Sequence, residues 1–474
     1  MPPRQVPAWP LYAVIVLLPM ALFASFRNAG FVADDFLFAA TPSPGVFDIV
    51  STPWAHPLGL TVAYRPITAL SYHINQTLFS HDPTGFHLFN GFIHGINAAL
   101  LALIVRRLTD STLSAVVAGL AFVLHPVTHE SVIWISGRTY PLASLFSLAA
   151  IAWILQRANR RPSPTDHLVL VSLVIGALLS YEAALILPLL LMPVMVTSRG
   201  GGGRSLLWLT PWLALLAYLA VRYGVLTTPT DDFWLHLSRP EAELGSASML
   251  ERLRVNGTAA ASRLLAAGIG RTPGQSTTFM VTVVTGLVLA WAIARRPASW
   301  RAAAIAVAII VVAFVPFTTY IGFADRFAYL SAAGVAMFIG TGAGAVSIRP
   351  QLRGVAGALL TVTLMLWGRQ YVLAGRDWVV AGQIAQDLLT DLHIAVPSPA
   401  PGAHLHFLDV PYRHGAALVY ITHLDRAVNL SYGRNDLVIS TGRSASPSPG
   451  GRPTAIRWTP QASASERGRL RLVD

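Results

Sequence analysis

Apolar residues along the chain fall into runs of about 16 to 22, close to the ~20 a helix needs to cross a ~30 Å hydrocarbon layer. The segments between them are polar and rich in Arg, Gly and Pro. About eleven spans are predicted, near residues 10–26, 86–105, 111–126, 139–156, 167–181, 183–198, 205–221, 276–294, 302–320, 326–346 and 354–373. Backbone groups find no water inside a bilayer, so such runs must satisfy themselves as helices. The pattern predicts a polytopic α-helical membrane protein.

The pattern changes after the last span. RDWVVAGQIAQDLLTDL places Trp378, Ile384, Leu388 and Leu392 at helical spacing, which predicts a separate amphipathic surface helix. PSPAPG then reads as a linker, so residues 375–401 form one connecting unit. Beyond it, HLHFLDV, AALVYIT, DLVIS, AIRWT and GRLRLV alternate with Gly, Pro and Ser, predicting a small external β-rich domain over 402–474. The membrane core, 1–374, has two long outer loops. Loop 27–85 holds the amphipathic stretch ITALSYHINQTLF. Loop 222–275 holds ERLRVNGTAAASRLLAAG, which reads as a helix lying at the interface. Its TDDFW reads as a solvated loop at Asp231 and Asp232.

Composition agrees. Of 474 residues, 54% are hydrophobic and 12% charged, about half the charged fraction of soluble domains. The net charge of +12 would suit a nucleic-acid binder, but its placement does not. All 34 basic residues are Arg. Those in short connections lie at Arg106/Arg107, Arg157/Arg160/Arg161, Arg199/Arg204, Arg295/Arg296/Arg301 and Arg349/Arg353, on one predicted side of the bilayer. The positive-inside rule makes that side cytoplasmic. The N-terminus is then cytoplasmic, the C-terminus external, and the location the plasma (inner) membrane. Arg4, the run Leu11–Phe26 and Arg27 read as a retained first span, since no small-residue cleavage site is clear. With no Cys, disulfides and thiolate metal sites are excluded.

Ionisable groups beside a membrane are costly, which makes those at span ends functional candidates. They gather on the predicted outer side. FVADDFLFAA supplies Asp34 and Asp35, and AYRPIT supplies Arg65. HPVTHESVIWISGRTY supplies His125, His129, Glu130, Arg138 and Tyr140. SYE supplies Tyr181 and Glu182, and GFADRFAYL supplies Asp325, Arg326 and Tyr329. Adjacent carboxylates can raise one another's pKa and act as a base, recruit a divalent cation such as Mg or Mn, or sit in a solvated loop. Arg65, Arg138 and Arg326 offer the permanent, bidentate charge that suits a phosphate. His125 and His129 have the i, i+4 spacing of metal ligands on one helical face, but Pro126 interrupts the helix and no HExxH pattern is present, so His129 and Glu130 are expected instead to hydrogen-bond and orient a polar substrate. Glu182 in so tight a turn is either a structural partner or part of the site.

ADDF, YRPITALSYHINQTLF, DPTGFHLFNGFIHGINAALL, FVLHPVTHESVIWISGR, LLSYEAALILPLLL and DRFAYLSAAG, in that order, resemble the membrane core of GT-C glycosyltransferases over about residues 10–350. The pattern is similar to the transmembrane and tetratricopeptide-repeat O-mannosyltransferases and their prokaryotic relatives. The resemblance implies a polyprenyl-phosphate-linked sugar donor and reaction on the non-cytoplasmic face. It also implies a catalytic base in the first external loop, which falls to Asp34 or Asp35; likeness to the Asp-Glu pair of protein O-mannosyltransferases favours Asp34. Where relatives often carry Lys before the Glu of the short turn, this chain has Tyr181, and no tetratricopeptide repeats follow the core. The implied chemistry is a single, inverting displacement in which phosphate leaves without a general acid. A transporter or flippase of lipid-linked sugars is the alternative. It would place charges near the midplane on broken helices rather than at span ends.

Overall fold

The computed structural model describes residues 9–40, 44–51, 54–55, 62–158, 160–197, 205–224, 248–266, 274–318, 320, 322–442, 454–459 and 469–473. TDDFW lies outside the described residues. Helix α1 (Trp9–Phe23) leads through a short 3-10 turn into the acidic loop, which closes in a π turn, Phe36–Ala40. Helix α2 (Val46–Ser51), a two-residue hairpin (β1, Trp54–Ala55; β2, Val62–Ala63) and α3 (Pro66–Phe79) complete the first long loop. The bundle continues with α4 (Pro83–Thr109), α5 (Thr112–Leu124), α6 (His129–Ile133), α7 (Thr139–Gln156), α8 (Pro164–Leu178), α9 (Leu187–Thr197) and α10 (Ser205–Gly224). It ends with α11 (Met249–Leu264), α12 (Gln275–Ala294), α13 (Pro297–Phe314), α14 (Tyr329–Ser347) and α15 (Pro350–Ala395).

The helix starts are written in the sequence. Proline opens α3, α4, α8, α13 and α15, where its missing N–H costs nothing. Asp82 accepts from Thr84 N at 3.0 Å to cap α4. Ser163 and Asp166 form a reciprocal capping box on α8.

Among the described residues, five helical segments are long and apolar enough to cross a membrane: Pro83–Thr109, Ile135–Gln156, Gln275–Ala294, Pro297–Phe317 and Asp325–Ser347. The pair Thr112–Leu124 and Pro126–Ile133, bent by 50°, makes a sixth if counted as one span. Four more of the expected spans coincide with shorter apolar helices, Pro10–Phe26, Pro164–Leu178, Glu182–Thr197 and Leu207–Arg222.

The last expected span and the expected surface helix are one element. Helix α15 runs unbroken for 46 residues, about 69 Å at the α-helical rise. No Pro separates its halves. Gly375, the one weak helix former at the junction, packs so closely on α1's exit that a Cβ there would come within 2.4 Å of the Phe26 ring. The 375–395 half therefore rises from the bundle as its continuation, and its apolar face (Trp378, Ala385, Leu388, Leu392) joins a second core with Phe36, Leu405, Phe407, Tyr420 and Ile456.

That second core belongs to the C-terminal segment, which is α/β rather than simply β-rich. β3 (His404–Leu408) lies between β6 (Val438–Thr441) and β7 (Thr454–Thr459), parallel to both, and β8 (Arg469–Val473) pairs antiparallel with β7. Leu405 sits opposite Ile439 on one side and Thr454 on the other. Helix α16 (Leu424–Ser431) precedes β6 on the crossover. AALVYIT, read as a strand, pairs only at β5 (Ala417–Leu418), against β4 (Arg413–His414). Past Leu418, Val419 N and Tyr420 N still donate to Tyr412 O (2.9 Å) and Pro411 O (3.2 Å), while Val419 O accepts from Ala33 N of the acidic loop at 2.7 Å.

Candidate active site

The acidic loop is wedged between α4, the 135–138 turn and α15. Glycine makes the approach possible: a Cβ on Gly382 of α15 would stand 2.4 Å from Gly30 N. Ala33 adopts a left-handed φ of 47°, a strained value for a residue with a side chain.

Asp35 is fully buried. Its Oδ1 accepts from Ser136 N (2.8 Å) and Ser136 Oγ (2.5 Å), and its Oδ2 accepts from Val32 N (3.1 Å). Burial pushes its carboxyl up from 3.8 to about 7; the Ser136 and Val32 hydrogen bonds oppose that, and the charge of Asp34 adds least. The pair thus differs by environment more than by mutual repulsion. Asp34 is a quarter exposed. Thr422 Oγ1 donates to its Oδ1, and His423 Nε2 lies 3.7 Å from the same oxygen.

Both oxygens of Asp35 are turned to protein donors. Among the described residues no group of three or more His, Asp or Glu side chains is placed to hold a metal.

The Asp35 environment fixes the sign of a pH effect. Between about pH 4 and 7 the folded chain holds a proton there that the unfolded chain has released, so stability falls as pH rises through that window and levels off above it. Thermal unfolding followed by Trp fluorescence in detergent should show the decline, and Asp35→Asn should flatten it. An unchanged slope in the variant would assign the effect elsewhere.

Pro126 ends α5 as expected and sets up a compact turn. His125 caps it, with Nδ1 accepting from Val127 N (3.3 Å), Nε2 donating to Leu264 O (3.1 Å) and its ring 4.4 Å from that of Trp367. His129 Nδ1 donates to Pro126 O at 2.9 Å and stands 3.9 Å from Asp325. Both imidazoles are tied to the scaffold at 0–1% exposure. Arg138 is similarly enclosed. Its Nε donates to Asn90 Oδ1 (2.8 Å), and its terminal nitrogens to Ser71 O (3.1 Å) and Phe86 O (3.2 Å), above the Tyr72 ring. It ties α3, α4 and the 135–138 turn together. Tyr329 is anchored by His94 (2.7 Å) and Asn97 (3.2 Å).

The remaining candidates converge. Glu130 accepts from Arg326 N (2.9 Å) and from its guanidinium, which lies 5.2 Å over Trp134. Arg65 pairs with Glu182 at 2.7 Å and covers the Tyr181 ring at 4.6 Å. The Tyr181 and Tyr140 hydroxyls are 3.2 Å apart. Arg326, Tyr140 and Tyr181 head a groove between α7, α9, α13 and α14 whose walls are mostly apolar, among them Ala143, Leu187, Leu190 and Ala313. Ser136 and Trp134, on one turn, connect the Asp35 end to the Arg326 end.

Four participants escaped the sequence reading. Ser136, Thr422 and His423 carry no local signal. Arg263 of α11, read only as part of an interfacial helix, pairs with Asp325 at 3.1 Å and keeps a buried Nη1 without a hydrogen-bond partner among the described residues.

Comparison with known proteins places this geometry. The chain is similar to human protein O-mannosyl-transferase TMTC3 (32% identical over 149 residues, 29% of this chain and 16% of that protein). It is also similar to Drosophila melanogaster protein O-mannosyl-transferase Tmtc1 (30% over 179 residues, 35% and 20%). The matches thus span a fifth or less of those relatives' length. No family model matches. Over nearly its whole length the chain superposes on ArnT from Cupriavidus metallidurans bound to undecaprenyl phosphate, with a TM-score of 0.57, 14% identity and coverage of 96% and 94%. It also superposes on the Archaeoglobus fulgidus oligosaccharyltransferase in complex with Zn and sulfate, with a TM-score of 0.50, 12% identity and coverage of 91% and 62%. The chain shares the membrane fold of these two proteins. Within that fold the acidic loop, the arginine-headed groove and the C-terminal α/β segment meet in one region.

Proposed function

We propose that the protein is an integral membrane glycosyltransferase that moves a sugar, with mannose the first candidate, from a polyprenyl-phosphate donor to an acceptor hydroxyl. The observation that carries this reading is the apolar groove headed by Arg326, Tyr140 and Tyr181 with Arg65 alongside. A groove open between helices suits an isoprenoid chain, and fixed cations and phenols at its head suit the phosphate. The ion pairs with Glu130, Glu182 and Asp325 preorganise Arg326, Arg65 and Arg263, and Arg263 keeps a buried Nη1 without a hydrogen-bond partner among the described residues.

Asp34 is the base in this reading. Its carboxylate takes the proton of the acceptor hydroxyl as that oxygen attacks the anomeric carbon. The bond from that carbon to the phosphate oxygen breaks, its electron pair leaves on the polyprenyl phosphate, and the guanidiniums stabilise the developing charge. One displacement inverts the anomeric centre. Asp35, buried and triply hydrogen-bonded, serves as the loop's anchor. Eleven spans, an Arg-rich cytoplasmic side and an external active face in the plasma membrane complete the proposal, and an external C-terminal unit over 402–474 follows from it. The Arg positions support that orientation.

The direct test compares glycolipids and glycoproteins by mass spectrometry with and without the protein; loss of one glycan identifies sugar and acceptor. Lipid-linked sugar flux without transfer would overturn the enzyme reading. The groove is tested separately by Ala143→Phe, which narrows it without touching a charge. The KM for a long-chain donor should rise several-fold while that for a two-isoprene donor changes little. Equal changes for both donors would place the lipid elsewhere.

A further inference from the structure

The mechanism leaves one contact unused. Thr422 and His423 lie 388 and 389 positions beyond Asp34, yet both face its Oδ1. The segment carrying them is held firmly. Ala416 N donates to Asp377 of α15 at 2.9 Å, and Val419 O accepts from Ala33 N at 2.7 Å. The Tyr420 ring stacks on Phe36 with centroids 5.7 Å apart, and its hydroxyl donates to Ala385 O at 2.8 Å. His423 and Ala33, on the two sides of the contact, both have left-handed backbones, φ 60° and 47°. Paired strain of this kind persists only where surrounding structure enforces it, and it concentrates at functional sites.

We infer that Thr422 is a positioning residue for Asp34: the C-terminal segment fixes Oδ1 through the Thr422 hydroxyl, so that Oδ2, without a hydrogen-bond partner among the described residues, is the oxygen presented to the acceptor. This rests on Asp34 being the base. The C-terminal segment thereby completes the site of the membrane core. Without the hydroxyl the carboxylate rotates about its terminal torsion, and the proton-accepting oxygen is no longer held. Small misplacement of a reacting group costs up to ~100-fold in rate.

The test uses the full-length protein in lipid nanodiscs with synthetic polyprenyl-phosphate mannose, reading mannose released to water, together with carbodiimide labelling of Asp34 followed by peptide mass spectrometry. Thr422→Val should lower kcat about ten- to hundredfold with donor KM within about twofold. Thr422→Ser, which keeps the hydroxyl, should recover most of the rate. Asp34 should label several-fold faster in Thr422→Val and at the wild-type rate in Thr422→Ser. Wild-type turnover in Thr422→Val, or Ser performing no better than Val, overturns the inference. If turnover is absent, or survives Asp34→Asn, the function reading fails instead. Labelling then decides alone, and equal Asp34 labelling in wild type and Thr422→Val overturns the positioning role.

Discussion

Asp34→Asn is expected to abolish sugar transfer, lowering kcat by about 10²- to 10⁴-fold, the range general-base catalysis supplies. The variant should insert and fold as wild type does. Asp34 is partly exposed, and an amide oxygen at Oδ1 still accepts the Thr422 hydroxyl, so little packing is lost. What is lost is the capacity to take a proton. Asp35→Asn should behave in the opposite way. An amide nitrogen placed against Val32 N, or against the Ser136 donors, opposes a donor to a donor inside a closed site. The cost is about 1–3 kcal/mol of folding stability, with activity lost only as the fold is lost. Turnover and thermal unfolding measured on both variants separate the roles. If Asp34→Asn turns over normally while stable Asp35→Asn is dead, the assignment within the pair is reversed.

The acidic pair was legible as a candidate because its position just past a span made idle charge expensive, and the spans were legible because long apolar runs mark them. The different surroundings of its two carboxylates were not, since they depend on Ser136 and Thr422, about 100 and 388 residues away. No local periodicity signals such contacts. Arg138 shows the same limit from the other side. Its predicted place on the same face as Arg65 and Arg326 suggested a phosphate ligand, and no sequence pattern announced Asn90, Ser71 and Phe86 as the acceptors around its guanidinium. The division of α15 into span and surface helix followed the change in hydropathy. Hydropathy reports the environment of a helix rather than its end, and with no Pro the helix continues through both environments. AALVYIT had a strand's composition, but its ladder with β4 is only two residues long, and beyond it Val419 bonds both to Tyr412 and to Ala33 of the acidic loop.

Removing Arg326 should have the second-largest effect, and its cause can be divided. Arg326→Ala deletes a guanidinium from the head of the groove and leaves Glu130, 6% exposed, without its countercharge. Breaking a buried pair from one side costs roughly 3–5 kcal/mol, so the variant should unfold at markedly lower temperature and lose activity. Alone, that result would not distinguish a scaffold role from a catalytic one. The double variant Glu130→Gln/Arg326→Met removes both charges and keeps side-chain volume, a change that is often neutral for stability. Its unfolding temperature should return towards wild type. Its kcat should stay about 100-fold or more below wild type, because a preorganised donor to the leaving phosphate is worth ~3 kcal/mol in a water-poor site. Recovery of activity together with stability would make Arg326 a strut for the 130–134 turn and shift the phosphate to Arg65 and Arg263. Stability regained with activity still absent would place Arg326 on the reacting phosphate.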